Sequence, residues 1–248
     1  MGWSLKLLLL RLLIWVVDQC SAGYKAAWGS IGQWKSGSSG VTPTAKRGKL
    51  PHHMCIAVME PHVSIADVAK CVSWSAGLGV QWITVWDAFG ELKADSARLS
   101  KLVATACRTE DIAVEYRVGG TGRRGRAAAV PPDPPVGTVV VTVLDSTHGR
   151  ADIVAGAREI AGAHARGELS EADLAALHPD GLAGWLSVDI PQMDLLFKFG
   201  DSDVLAGLLP WHIAVTEIVK FGSHRGIDRE AFVAGMGVFA GSDRRFGR

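Results

Sequence analysis

DLLFKFGDSDVLAGLLPWHIAVTEIVKFGSHRGIDREAFVAGMGVFAGSDRRFGR, residues 194–248, is the segment from which the rest of the chain is best understood. It opens with a short apolar run, residues 195–199, which stops at Gly200 as a buried strand does. After an acidic turn a second apolar run starts at Leu208, and we predict that residues 208–218 form a helix. A last helix is predicted from Asp228 to about Phe239, and a short basic tail follows it.

Upstream of this segment, from Leu50 onward, short β-type runs alternate with helical patterns. Four strands are predicted at residues 54–59, 82–86, 112–118 and 138–144, and the last of these is apolar on both faces. Helices are predicted after the capping residues Ser64, Asp95 or Ser96, and Ser170, and over residues 152–166. This alternation predicts an α/β domain with a mostly parallel sheet flanked by helices.

The composition limits the classes of function. The chain has 248 residues, of which 48% are hydrophobic and 21% charged, so it has enough apolar residues for a sizeable core. A formal net charge of +1 argues against general binding to nucleic acid, which needs a concentrated basic surface. The four cysteines are scattered without metal-ligand spacing, which favours reduced thiols facing the cytosol, with Cys55, Cys71 and Cys107 in the core.

The amino-terminal residues 1–28 form a separate segment, apolar over residues 5–17 apart from Lys6 and Arg11. This run is shorter than the roughly 20 residues of a spanning helix, and we predict a membrane-associated helix. A cleaved signal peptide and a helix packed on the domain are the alternatives. Residues 29–49 are rich in Gly, Ser and Lys and are predicted to be a flexible linker to the domain at residues 50–248.

A literal G-x-G-x-x-G motif occurs at Gly120, Gly122 and Gly125, directly after a predicted strand. A dinucleotide-binding loop must open a helix, but here a proline-rich segment follows at residues 131–135. We therefore interpret residues 119–137 as a surface insertion rich in Gly, Arg and Pro.

The sequence motifs FKFG, LLPWHIAVTEI and a terminal RRFGR, in this order, resemble those of the Nogo-B receptor family, the non-catalytic subunits of eukaryotic cis-prenyltransferases. His148 to Ile153 also resembles the G-x-x-D-I start of a helix in cis-prenyltransferases, although an ordinary glycine turn explains it equally well. The resemblance implies a cis-prenyltransferase-like fold, similar to that of undecaprenyl diphosphate synthase.

Two departures from the catalytic pattern of that larger family imply that this chain is inactive alone. Catalytic members carry Met-Asp-Gly-Asn-Gly-Arg-Trp after the first strand, where the Asp serves magnesium and the loop holds the allylic diphosphate. This chain has MEPHVS at residues 59–64 instead, in which Pro61 lacks an N–H donor. The arginine clamp for isopentenyl diphosphate is also missing, since the matching words are FKFG at residues 197–200 and DVLAG at residues 203–207.

The terminal Arg245 and Gly247 match the Arg-x-Gly tail of the non-catalytic subunits. The resemblance implies that this tail enters the active site of the catalytic partner in trans, with Arg245 binding substrate diphosphate. It also implies an interface formed by five residues of the LLPWHIAVTEI segment, namely Leu209, Pro210, Trp211, His212 and Glu217.

The family resemblance predicts an accessory subunit of dehydrodolichyl diphosphate synthase at the endoplasmic reticulum membrane, with the domain facing the cytosol. Its heteromeric complex would extend farnesyl diphosphate with isopentenyl diphosphate into the long polyprenyl chain used for dolichol and protein glycosylation. Mg²⁺ would be bound mainly by the catalytic partner, and no metal is predicted in this chain. The alternatives are a self-sufficient prenyltransferase and a membrane-anchored receptor or scaffold without a catalytic role.

Overall fold

A computed structural model describes residues 49–120, 131–177 and 179–242. Within these residues six strands form one parallel sheet. Helices connect the first strand to the second, the second to the third and the fourth to the fifth, as is usual for parallel pairing, whereas a loop joins the fifth to the sixth. The predicted α/β class with a mostly parallel sheet is therefore confirmed.

The six strands are His53–Val58 (β1), Trp82–Asp87 (β2), Ala113–Val118 (β3), Thr138–Asp145 (β4), Leu195–Phe199 (β5) and Glu217–Phe221 (β6). Their order in the sheet is β3-β4-β2-β1-β5-β6. The helices are Ile65–Leu78 (α1), Glu91–Ala94 (α2), Ser96–Arg108 (α3), Arg150–Ala165 (α4), Glu171–Ala175 (α5), Pro179–Ala183 (α6) and Arg229–Gly241 (α7). A short 3-10 turn, Ser146–His148, joins β4 to α4.

Local capping explains why the helices begin and end where they do. The Ser64 hydroxyl accepts a hydrogen bond from the Asp67 N–H at the start of α1, and Gly79 ends that helix in the left-handed conformation. Ser170 and Asp173 form the predicted capping box of α5. The Asp228 side chain caps α7 through the Ala231 N–H. The predicted starts of α1, α5 and α7 are confirmed.

The core lies on both faces of the sheet. One face packs against α1, α3 and α7, with Leu99, Val103 and Phe232 fully buried. The other face packs against residues 186–193 and the loop before β6, with Trp86 and Leu209 buried. β1 and β2 are buried along their whole length, which explains their almost continuous apolar sequences. The thiols of Cys55, Cys71 and Cys107 are free and buried, as predicted.

The predicted helix within residues 208–218 is wrong. Residues 201–216 form a series of turns, and the chain re-enters the sheet as β6, where the Glu217 N–H donates to the carbonyl oxygen of Asp194. Pro210 has no N–H to donate within a helix, and the β-branched residues Val215, Thr216, Ile218 and Val219 favour a strand. The apolar run therefore joins two adjacent parallel strands by a loop.

Helix α7 runs from the carboxyl edge of the sheet to the amino edge. It starts after the turn at His224, which follows β6. Its last turn places the Phe239 ring 5.6 Å from the Lys49 ammonium, which precedes β1. Among the described residues, no helix is both long and apolar enough to cross a membrane. The predicted membrane helix at residues 1–28, the linker and the G-x-G-x-x-G motif beyond Gly120 lie outside the described residues.

Candidate functional site

Four carboxylic side chains gather where the strands end. Glu60 follows β1, while Asp87 and Asp145 are the paired last residues of β2 and β4. Glu91 lies in the first turn of α2, just after β2. Because ligands of open parallel α/β sheets bind outside the carboxyl ends of the strands, this edge is the candidate site. What each carboxylate already binds decides what the site can do.

The Glu60 carboxylate binds the turn after β6. It accepts hydrogen bonds from the Ser223 hydroxyl at 2.8 Å, from the His224 N–H at 2.8 Å and from His224 Nδ1. Burial raises the pKa of Glu60, but the hydrogen bonds from His224 and Ser223 outweigh it, so the net pKa is below the usual value. His224 is fully buried, and its Nε2 accepts the Ser64 N–H at 2.7 Å. Glu60 therefore ties the loop after β1 to the turn after β6.

The loop after β1 also receives a carboxylate from α2. The His62 N–H donates to Glu91 Oε1 at 2.8 Å, and the Val63 N–H donates to Glu91 Oε2 at 3.0 Å. His62 has a positive φ of 60°, which is unusual for a residue with a side chain. With Ser64 bound to His224, three consecutive backbone N–H groups of this loop have acceptors from within the chain.

Asp87 is a structural carboxylate beneath this loop. Its side chain is fully buried and accepts N–H groups of Phe89, Glu91 and Leu92 at 3.2, 2.8 and 3.2 Å. Burial raises the pKa of Asp87, while the backbone hydrogen bonds act in the opposite direction. The carboxylate thereby fixes the first turn of α2, including Glu91.

Asp145 holds a separate group of side chains at the end of β4. Its Oδ1 lies 2.8 Å from His148 Nδ1 and accepts the Thr147 N–H at 3.0 Å. Its Oδ2 pairs with the Lys93 ammonium at 3.2 Å. Burial raises the pKa of Asp145, but the bonds from Thr147 and Lys93 lower it to about 2. The Asp145 carboxylate is thus ionised at neutral pH, and the Lys93 ammonium balances its charge.

Two further basic side chains at this edge bind backbone carbonyl oxygens. Lys198, in the FKFG word, is buried and donates to the carbonyl oxygens of Gly200 at 3.3 Å and of Ser202. Burial lowers its pKa, and Lys220 on the neighbouring strand lowers it further. Arg225 donates to the carbonyl oxygens of Pro61 at 3.2 Å and of His62. Both cations stabilise loops, and neither side chain projects into an open anion site.

The carboxylates at this edge do not fit a magnesium site. Magnesium in phosphoryl sites uses one or two carboxylates, several waters and substrate phosphates in an octahedral arrangement. Here all four carboxylates are engaged by N–H, O–H, imidazole or ammonium donors, as described above. Within residues 49–120, 131–177 and 179–242, no three His, Cys, Asp or Glu side chains are grouped to hold a metal ion.

The five predicted interface residues are divided between the core and the surface. Leu209 and His212 are buried, and burial lowers the pKa of His212 to about 4. Pro210 is exposed and Trp211 is half-buried. Glu217 is the first residue of β6 and half-buried. The loop thus has an apolar interior and an accessible side, and the assignment of these residues to an interface stays a prediction.

A shallow pocket of about 510 Å³ opens on the accessible side of this loop. Its lining combines one cation with apolar and small residues, namely Arg150, Val204, Leu205, Ala206, Gly207, Leu208, Pro210 and Ile213. Ala206 and Leu209 both have positive φ, which marks a strained backbone. A Cβ on Gly149 would lie 2.1 Å from the carbonyl oxygen of Gly207, so the G-x-x-D-I turn packs directly on the loop.

Nothing in the sequence indicated that Glu91 and His224 accept the backbone N–H groups of the loop after β1. Glu91 is distant in sequence, and His224 lies in a turn whose pairing with β1 depends on the sheet order. The structure also places Glu60, the second residue after β1, against His224. Arg245 and Gly247 lie outside the described residues.

Comparison with known proteins finds two curated relatives of nearly equal similarity, while no family model matches the chain. Human dehydrodolichyl diphosphate synthase complex subunit NUS1 is 32% identical over 213 residues, which cover 81% of this chain and 68% of the human protein. The mouse subunit Nus1 is 30% identical over 211 residues, which cover 81% of this chain and 67% of the mouse protein.

Two solved structures share the fold. Lavandulyl diphosphate synthase from Lavandula x intermedia, in complex with dimethylallyl diphosphate, aligns with a TM-score of 0.58 and 16% identity, covering 80% of this chain and 99% of that chain. A probable undecaprenyl diphosphate synthase from Campylobacter jejuni aligns with a TM-score of 0.51 and 14% identity, covering 81% of this chain and 99% of that chain. The predicted similarity to the undecaprenyl diphosphate synthase fold is confirmed.

Proposed function

This chain belongs to the NUS1 family of dehydrodolichyl diphosphate synthase complex subunits, also known as the Nogo-B receptor family, and we propose that it is the non-catalytic subunit of such a complex. In this proposal the complex extends farnesyl diphosphate with isopentenyl diphosphate into a long polyprenyl diphosphate for dolichol synthesis and protein glycosylation. The chemistry takes place in the catalytic partner, and this chain supports it by assembly and by its carboxyl-terminal tail.

The observation that carries the proposal is the occupied loop after β1. Ionisation of an allylic diphosphate needs cations and N–H donors aimed at the departing charge. In this chain the N–H groups of residues 62–64 are bound to Glu91 and His224, and Lys198 and Arg225 are bound to carbonyl oxygens. These N–H groups and cations are therefore occupied and do not point at a departing diphosphate.

The direction of α7 supports a tail that acts in trans. The helix ends at Gly241 on the amino edge of the sheet, whereas the chain's own candidate site is at the carboxyl edge. Thirteen helical residues span about 20 Å. The tail therefore continues from the edge of the sheet opposite to that site. We propose that Arg245 and Gly247 enter the partner's active site, where Arg245 binds a diphosphate and Gly247 permits close backbone approach.

The accessible side of the loop between β5 and β6 is the surface that we propose for the partner. The exposed Val204 and Pro210 line the pocket described above, and Trp211 follows Pro210. Val215 and Ile218, just before and within the edge strand β6, are further exposed apolar residues. Apolar groups beside a cation such as Arg150 are typical of the centre of an interface. Leu209 and His212 would shape this surface from below, and Glu217 would lie at its border.

Magnesium, in this proposal, is bound mainly by the catalytic partner. The metal neutralises charge on the substrate diphosphates when it is bound there. Residues of this chain contribute the Arg245 guanidinium, which needs no proton transfer to stay charged. The carboxylates Glu60, Asp87, Glu91 and Asp145 serve the fold of this chain.

We further propose that residues 1–28 hold the protein at the endoplasmic reticulum membrane with the domain facing the cytosol. The support is the short apolar run interrupted by Arg11, which suits a helix at a membrane surface. Fractionation of cells expressing the full chain or residues 29–248 without the partner tests this. A truncated chain that still sediments wholly with membranes would disprove the anchor.

The role of the tail is tested by co-purifying variants with the catalytic partner and assaying isopentenyl diphosphate incorporation on the same preparations. Arg245→Ala should leave the complex assembled and lower turnover by about 10² to 10³, by analogy with loss of one preorganised donor. Arg244→Ala is the matched control and should keep most of the activity. Arg245→Lys should restore little, since lysine lacks the planar fork. An intact Arg245→Ala complex with unchanged turnover would refute the role of the tail.

A further inference from the structure

The loop after β1 contains a bound anion that the chain itself supplies. Both oxygens of Glu91 accept backbone N–H groups, from His62 at 2.8 Å and from Val63 at 3.0 Å. Successive N–H groups that converge in this way form a concave site that binds anions. The loop is immediately followed by α1, a helix of 14 residues whose amino end favours negative charge.

The position of Glu91 is fixed by the buried Asp87. Asp87 accepts the Glu91 N–H at 2.8 Å and thereby anchors the turn that carries the side chain. Lys93, two residues further on, pairs with Asp145 and so is not the partner of Glu91. The carboxylate is therefore directed to the loop by a buried scaffold, and it replaces water or a ligand at those two N–H groups.

We infer that Glu91 is an internal substitute for a diphosphate, which keeps the loop after β1 closed and excludes diphosphates from this subunit. The inference rests on the proposed function, in which only the partner should take up the two diphosphate substrates. A subunit that bound them without turning them over would compete with its own partner. Glu91 would thus be the residue that makes this subunit inert toward the substrates of the complex.

The charge and the hydrogen bonds of Glu91 both oppose the entry of a diphosphate into the loop after β1. A diphosphate that entered the loop would have to displace two hydrogen bonds to an ionised acceptor, which are stronger than those to a neutral one. It would then lie beside the displaced Glu91 and near Asp87, with like charges at close range. Without the Glu91 carboxylate, a diphosphate would have no hydrogen bonds to displace, and the repulsion between like charges would be smaller.

The test is binding of inorganic pyrophosphate, without metal, to the isolated full chain by titration calorimetry at fixed ionic strength. The wild-type chain should show no saturable binding. Glu91→Ala should bind pyrophosphate saturably, with an affinity at least about tenfold above the weakest binding that the titration would detect for wild type, the gain expected from freeing one charge-assisted hydrogen bond. Asp95→Ala is the matched control, because it removes a nearby negative charge that pairs with Arg98 and leaves the His62 and Val63 bonds intact.

A second variant keeps the inference testable if Glu91→Ala does not fold. Glu91→Gln keeps the size of the side chain and one acceptor oxygen but frees one N–H, so it should gain a smaller part of the affinity. Folded Glu91 variants that bind no better than Asp95→Ala would overturn the inference. So would wild-type amide resonances of His62 and Val63 that shift on addition of pyrophosphate.

This readout is independent of catalysis by the complex. Variants without pyrophosphate binding would remove the role of Glu91 and leave the accessory function intact. A complex without activity would remove the accessory function and leave the measured pyrophosphate affinities unchanged.

Discussion

Replacing Glu60 by alanine should destabilise the chain because it removes the acceptor of a buried histidine. His224 is fully buried, and both its N–H and its Nδ1 donate to Glu60. The imidazole cannot simply move its proton to Nε2, because Nε2 already accepts the Ser64 N–H at 2.7 Å. Each buried donor left without an acceptor costs about 1–3 kcal/mol. Since Glu60 is partly exposed and water can enter, we expect a loss of about 2–4 kcal/mol in the free energy of unfolding.

Urea denaturation of the isolated chain measures this loss. Glu168→Ala is the control, since it removes an exposed, solvent-screened pair with Arg166 and should leave the stability nearly unchanged. A carboxylate that awaited a metal would behave differently, because its removal from a metal-free chain relieves repulsion. A Glu60→Ala chain that is as stable as the control, or more stable than wild type, would refute the structural role of Glu60.

Three further predictions follow from contacts described above. Gly149→Ala should cost about 1–3 kcal/mol in denaturation, since its Cβ would lie 2.1 Å from a carbonyl oxygen of the loop, whereas Gly237→Ala has open space and should be neutral or stabilising. Burial lowers the pKa of His53 from 6.5 to about 4, so the unfolded chain binds the proton first and stability should fall as pH drops from 6.5 to 4, by on the order of 3 kcal/mol. His53→Gln should flatten that pH dependence, and an unchanged slope would contradict it. Val204→Asp, in the loop between β5 and β6, should weaken co-purification with the catalytic partner because it places a charge in the proposed interface. Val154→Asp changes an exposed valine on α4, outside that loop, and should have no such effect.

The elements with clear local signals could be predicted from sequence. Ser64 and Gly79 mark both ends of α1, and Asp228 marks the start of α7. The apolar character of β4 on both faces indicated a strand covered on both sides, and it is buried from its second residue onward. These signals depend on neighbouring residues alone, so they survive without knowledge of the tertiary structure.

The loop after β5 and the candidate site depend on longer contacts. The run at residues 208–213 resembles an amphipathic helix, but it folds as turns because the following residues pair with β5 and bury Leu208 and Leu209 under the sheet. The filling of the loop after β1 by Glu91 and His224 joins residues 28 and 160 positions apart. Such pairings follow from the order of strands, and that order has no local signal.

The accessory role is tested most directly by incorporation of isopentenyl diphosphate into polyprenyl diphosphate, measured for the isolated chain, for the catalytic partner alone and for the co-purified complex. The account predicts no elongation by the isolated chain and faster elongation by the complex than by the partner alone. Elongation by the isolated chain, or a complex no faster than its catalytic subunit, would contradict it.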